Sequence, residues 1–169
     1  MFRPHACAMC LMGSMFLTVF AASAHAEKIK FNYTKTTRQT LSSTSMTVGE
    51  APGREMVQAV HVATVGKSSG GIELLDETVY EQDEQIAGSG THRGFSVNKV
   101  RGGGEIHQRW EGTHKTVTKD GGQWEMTYSG KSVIIGGTGK YKGAKGACDY
   151  VGKASNDTAV EDDTCNIEF

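Results

Sequence analysis

In the stretch "GEIHQRWEGT", Glu105, His107, Arg109 and Glu111 recur at every second position, with Ile106 and Trp110 between them. On an extended strand this spacing gathers an imidazole, a guanidinium and two carboxylates on one face. Inside a barrel such a face could move protons, a carboxylate tuning the imidazole. On the outside of a sheet it is an ordinary solvated surface, and alternating charge favours that reading, with Trp110 pointing inward. His61 has different surroundings. It lies between Ala59 and Ala63 in "EMVQAVHVATVG", a stretch apolar on both faces. A histidine there is either a hydrogen-bonded core residue or the polar group of a lumen in which its small neighbours leave room. His61 is the first candidate to face a ligand. Arg109 and Glu111 are polar candidates beside it. Trp110, Trp124, Tyr128, Phe95 and Tyr80 offer aromatic surface for cavity walls or, equally, for plain core.

The glycine-rich run "SVIIGGTGKYKGAKGAC", residues 132–148, raises a phosphate-binding alternative, which its spacing excludes. Lys140 is followed by Tyr141 where a P-loop needs a hydroxyl, and Ile134 occupies the position of its first glycine. Gly137-Thr138-Gly139 meets Lys142 where a dinucleotide fingerprint needs glycine. No G-x-S-x-G, H-E-x-x-H or C-x-x-C occurs after residue 26, and the histidines do not cluster in sequence. No nucleotide, metal or other cofactor is therefore expected.

The elements that must position these residues read as strands. "KIKFNYT" alternates, with Ile29, Phe31 and Tyr33 on one face, and Trp124, Met126 and Tyr128 alternate likewise. Turn signals ("GKSSGG", "RGGG", "KDGG", "GGTG", "SNDT") punctuate the chain at fairly even intervals, while helical periodicity is confined to at most one turn near "KYKGAK". About eight strands in one domain over residues 27–169 predict an all-β, eight-stranded antiparallel barrel, whose closure removes exposed edges. "QIAGSGTHRGFSVNKV" reads as one of these strands and "EMVQAVHVATVG" as a strand buried on both sides. Trp110, Trp124, Met126 and Tyr128 are expected to wall an apolar cavity near His61.

Residues 1–26 read as a signal peptide. Arg3 precedes an apolar run, Ala24-His25-Ala26 supplies a cleavage pattern, and no acidic residue comes before Glu27. The expected product is secreted or periplasmic, with no membrane association after cleavage. Its charge is slightly acidic, with no basic block to attract nucleic acid. Cys148 and Cys165, the two cysteines after residue 26, are most simply a disulfide in an oxidising compartment. If they face each other across an antiparallel pair, the hairpin centre falls between Asn156 and Asp157, a turn-forming dipeptide.

"IIGGTGKYKGAKGACDY" resembles the G-G-[ST]-G-x-[FY]-x-x-[AV]-x-G segment shared by plant allene oxide cyclases and dirigent proteins. The order "WEGTHK", "GGQWEM", "IIGGTGKYKG" is also similar to secreted bacterial proteins of that barrel superfamily. The resemblance covers residues 104–154. It implies an eight-stranded calycin-like barrel with a hydrophobic cavity, in which Gly136, Gly137, Gly139 and Gly146 are architectural. The proline-containing first strand of the cyclases and the paired acidic and tyrosine residues of dirigent proteins have no counterpart, so no catalytic residue carries over. The leading expectation is a barrel that binds a small, mostly apolar molecule in its lumen. An isomerase or cyclase acting by confinement and a solidly packed structural or interaction barrel are the alternatives.

Overall fold

The structure, a computed structural model, describes residues 27–156 and 158–169. The expected signal peptide and Asp157 lie outside the described residues. Eight strands follow in order: β1 (Lys28–Thr47), β2 (Arg54–Ser69), β3 (Leu74–Ile86), β4 (Ser89–Val100), β5 (Glu105–Thr118), β6 (Trp124–Gly137), β7 (Lys145–Ser155) and β8 (Ala159–Glu168). Each pairs antiparallel with the next, and β8 closes on β1, so the sheet is a closed barrel. Short 3-10 turns at Asp120–Gly122 and Gly139–Tyr141 are the helical elements among the described residues, and no helix there is long and apolar enough to cross a membrane.

Three segments depart from the sequence reading. The Ser/Thr-rich continuation of β1 is strand as far as Thr47, paired with β2, while its pairing with β8 stops at Lys35 opposite Glu161. The two partners of β1 therefore part company near Lys35. "QIAGSGTHRGFSVNKV" is broken by a tight hairpin at Ala87-Gly88, both with positive φ (49° and 75°), as a two-residue turn between twisted strands requires. β2 is buried on its inner face alone. Ala59, His61 and Ala63 point inward, whereas Val60 and Val62 are partly exposed on the outer wall of a single-layered sheet.

The interior is divided along its axis. One half is an apolar plug of Phe31, Tyr33, Ile72, Leu74, Val100, Ile106, Ile134 and Ile167, with Tyr141 fully buried among them. Cys148 and Cys165 are directly opposite across β7 and β8 and form the disulfide within this plug. The glycine run seats Tyr141. A β-carbon on Gly137 would lie 2.9 Å from the Tyr141 Cβ and 2.1 Å from the Glu105 carbonyl oxygen, and Gly139 turns the chain with φ of 60°. The other half of the interior is charged.

Candidate functional site

Inward positions on β1 and β8 continue from the plug into charge. Lys35 follows Phe31 and Tyr33 on the same face, and Asp163 and Glu161 follow Ile167 and Cys165. The Lys35 ammonium lies 2.6 Å from Glu77, 2.5 Å from Glu161 and 3.5 Å from Asp163, all with little solvent access. Burial alone would lower the Lys35 pKa, yet Asp163, Glu161 and Glu77 hold it well above the usual lysine range. Burial raises Asp163 well above the usual carboxyl range, overriding Lys35, with Glu161 and Glu77 adding to the rise. A proton on Asp163 leaves the ammonium to its two shorter contacts. Tyr33, beside them, is raised by burial and then by Asp163.

Deeper in the charged half, Glu81 on β3 is a hub. It is ion-paired to Arg38 from β1 and accepts hydrogen bonds from His61 Nε2 at 3.0 Å and His92 Nδ1 at 3.5 Å. The other nitrogens of both rings are engaged too. Thr40 Oγ1 donates to His61 Nδ1 at 3.0 Å, and the Tyr150 hydroxyl donates to His92 Nε2 at 2.9 Å. Burial would raise the Glu81 pKa, but the bonds from His61 and His92, with Arg38 nearby, pull it far below the usual range. Asp83, two residues on, is pushed up to about 7, first by burial and then by the charge of Glu81. His114 is lowered by burial and by His92.

Mid-strand glycines make this packing geometrically feasible. The rung Asp83, His92, Gly112, Gly130, Tyr150 runs around five neighbouring strands. The Tyr150 side chain lies across the two glycines to reach His92. A β-carbon on Gly112 would come within 2.3 Å of the Tyr150 hydroxyl oxygen and 2.6 Å of His92 Nε2. In the same way Tyr128 lies over Gly152, and the indole of Trp110 over Gly94. Trp110 meets the rings of His92 and Tyr150 edge-on, with centroids 5.2 Å and 6.4 Å apart. Tyr128 and Tyr150 are both raised by burial and secondarily by Glu161, so both hydroxyls keep their protons.

These groups enclose a cavity of about 50 Å³, walled by Trp110, Tyr128 and Tyr150 together with Lys35, Arg38, Glu77, Glu81, His92, Glu161 and Asp163. Ala159 and Arg38 border it, so it lies where β1 parts from β8.

Of the residues singled out in the sequence, Trp110 and Tyr128 are in this wall, and His61 stands behind it, bonded to Glu81. Four others do not face the lumen. Tyr80 and Phe95 are 51% and 53% exposed on the outer surface, and Arg109 and Glu111 are exposed on β5. All four border one outer groove of about 830 Å³. For Arg109 and Glu111 the cause is plain alternation about Trp110. For Tyr80 it is a bulge between Leu74 and Asp76, which switches the inward parity of β3 from Leu74 to Glu77, Val79 and Glu81. For Phe95 the rule itself inverts, because the inner face of β4 carries His92, Ser96 and Asn98. Trp124 begins β6 at the β5–β6 turn, so it lies at the barrel rim. It borders a surface depression with Lys119 and Glu125, and its backbone N–H donates to Asn156 Oδ1. The expected apolar wall is thus mixed, aromatic on one side and ionic on the other.

Sequence reasoning passed over Arg38, Glu81, Asp83, His92, His114 and Tyr150. One signal was available: Gly94, Gly112, Gly130 and Gly152 sit in strand interiors, where glycine marks the close approach of something large. No protein-family model matches the chain, and no curated protein matches it. Among solved structures, it is similar to a pterocarpan synthase dirigent protein, with 16% sequence identity and a TM-score of 0.48, over 93% of this chain and 96% of that one.

Proposed function

We propose that the protein is an exported barrel that binds a compact small molecule in the charged half of its lumen. The bound molecule presents a cationic or hydrogen-bond-donating end to the carboxylates and a flat or apolar body to Trp110, Tyr128 and Tyr150. The observation that carries this reading is the composition of the cavity wall, where carboxylates outnumber Lys35 and Arg38 beside three aromatic rings. A ring face and a carboxylate together attract an organic cation more strongly than either alone. A cavity of about 50 Å³ has room for roughly three or four waters, so the ligand is small. The disulfide and the signal-like N-terminus support export. An isomerase or cyclase working by confinement would use the same walls, and conversion of the bound molecule distinguishes it from a carrier.

The test is native mass spectrometry of the protein from its own compartment, followed by titration with a panel of small amines. Trp124→Phe makes Trp110 the sole reporter of tryptophan fluorescence. A saturable change with one site per chain, weakened by Glu81→Gln in a folded variant, is expected. An unliganded native mass together with no amine response would refute the reading and leave a structural barrel.

A further inference from the structure

Two imidazoles and a carboxylate come together on the lumen side of β3, β4 and β5. Asp83, His92 and His114 each offer one ligand atom, and these atoms all lie within 4.8 Å of one another. The barrel register brings them together, since Asp83 is directly opposite His92 and His114 is opposite Gly90, two positions before His92. His92 and His114 are both buried. Asp83 Oδ1 is buried and has no hydrogen-bond partner among the described residues. His114 touches the ring of His92, with centroids 5.6 Å apart. Buried polar groups are normally satisfied, so an unpaired buried carboxylate oxygen beside two imidazoles needs a reason.

We propose that Asp83, His92 and His114 bind a divalent transition-metal ion of the zinc class. Two histidines and one carboxylate suit such an ion and leave coordination positions open to water or a ligand. The surroundings fit as well. Glu81 lies 3.5 Å from His92 Nδ1, where a carboxylate can orient the ring of a metal-binding histidine. The Tyr150 hydroxyl meets His92 Nε2 at 2.9 Å, a contact that an ion bound at that nitrogen would replace. Glu81 itself is committed to Arg38 and His61 and acts as the outer partner. This inference goes beyond the ligand reading, from which it is independent: an ion can bind whether or not an organic molecule occupies the cavity.

The experiment uses the untagged protein, stripped with chelator and dialysed. Cobalt(II) is added as a spectroscopic probe and zinc(II) in competition. One equivalent of cobalt per chain, with visible d–d bands displaced by zinc, is expected, and zinc should raise the melting temperature of the unmodified protein as binding to the folded state requires. Asp83→Asn and His114→Gln should weaken binding by more than about 100-fold and Glu81→Gln by roughly 10–100-fold, while His107→Ala, at a half-exposed residue outside the cluster, leaves it unchanged. Absence of both the bands and the thermal shift in the unmodified protein overturns the proposal, whatever the variants do. So does a cobalt spectrum that persists in folded Asp83→Asn and His114→Gln.

Discussion

Replacing Lys35 by methionine removes the ammonium set among Glu77, Glu161 and Asp163 while keeping much of its apolar stem. In the wild type the charge stands 2.6 Å from Glu77 and 2.5 Å from Glu161, with Asp163 at 3.5 Å and the Tyr33 ring 5.5 Å away. Glu77, Asp163 and Lys35 are nearly inaccessible to solvent, so water cannot replace the lost partner. Removing one member of such a buried pair costs about 3–5 kcal/mol, because the remaining charges must either stay unpaired or take up protons. For a domain of this length that is a fall of roughly 10–20 °C in melting temperature. The pH dependence follows from the direction of the Asp163 shift. Its folded-state pKa is raised, so the stability it contributes is fully present below the unfolded value near ~4 and is lost as pH rises through the folded value. Without Lys35 the groups left facing one another are Tyr33, Glu77, Glu161 and Asp163, and their common demand for protons grows. The deficit of the variant should therefore be small near pH 5 and widen towards pH 8. Thermal melts followed by circular dichroism across that range measure it. A melting temperature within about 2 °C of wild type at pH 7.5, or a deficit independent of pH, would refute the account of a buried, proton-sharing cluster.

Replacing both Cys148 and Cys165 by serine should cost about 3 kcal/mol for a loop of this length, read as a lower denaturant midpoint. Gly112→Ala should destabilise by roughly 1–3 kcal/mol, since its methyl meets the Ser129 carbonyl oxygen at 2.3 Å as well as the Tyr150 hydroxyl. A crystal structure of that variant should show Tyr150 displaced from His92. Tyr80→Ser and Phe95→Ser, on the outer surface, should each shift stability by no more than about 1 kcal/mol, and neither should alter the fluorescence response of Trp110 to ligand.

The architecture was legible because most of it rests on rules that each strand obeys by itself. Alternation and glycine-rich turns gave eight strands and one closed sheet. The pairing of Cys148 with Cys165 was readable because they are the two cysteines after residue 26, and the register of β7 and β8 sets them opposite each other. The interior chemistry was not legible for the converse reason. Arg38, His61, Glu81, His92 and Tyr150 come from five strands, one residue each, and only the register makes them neighbours. The histidines looked dispersed along the chain, although closure places His61, His92 and His114 on the same inner wall.

The two outward aromatics expose the assumption beneath the sequence reading, that the apolar side of a strand is the inner side. In β4 the lumen receives His92, Ser96 and Asn98 while Phe95 faces water, so a reading by hydrophobicity turns the strand inside out. Such an inversion is tolerable only where other contacts hold the sheet closed. Here the opposite half of the barrel does so, with its apolar plug, buried Tyr141 and disulfide between β7 and β8. Seven strands contribute buried side chains to that plug and β2 packs Val65 against it, so the sheet is anchored all the way round at one end. The charged half can then be spared from apolar packing. It keeps its ion pairs and hydrogen bonds, the parting of β1 from β8, and a space that a uniformly packed barrel would have filled.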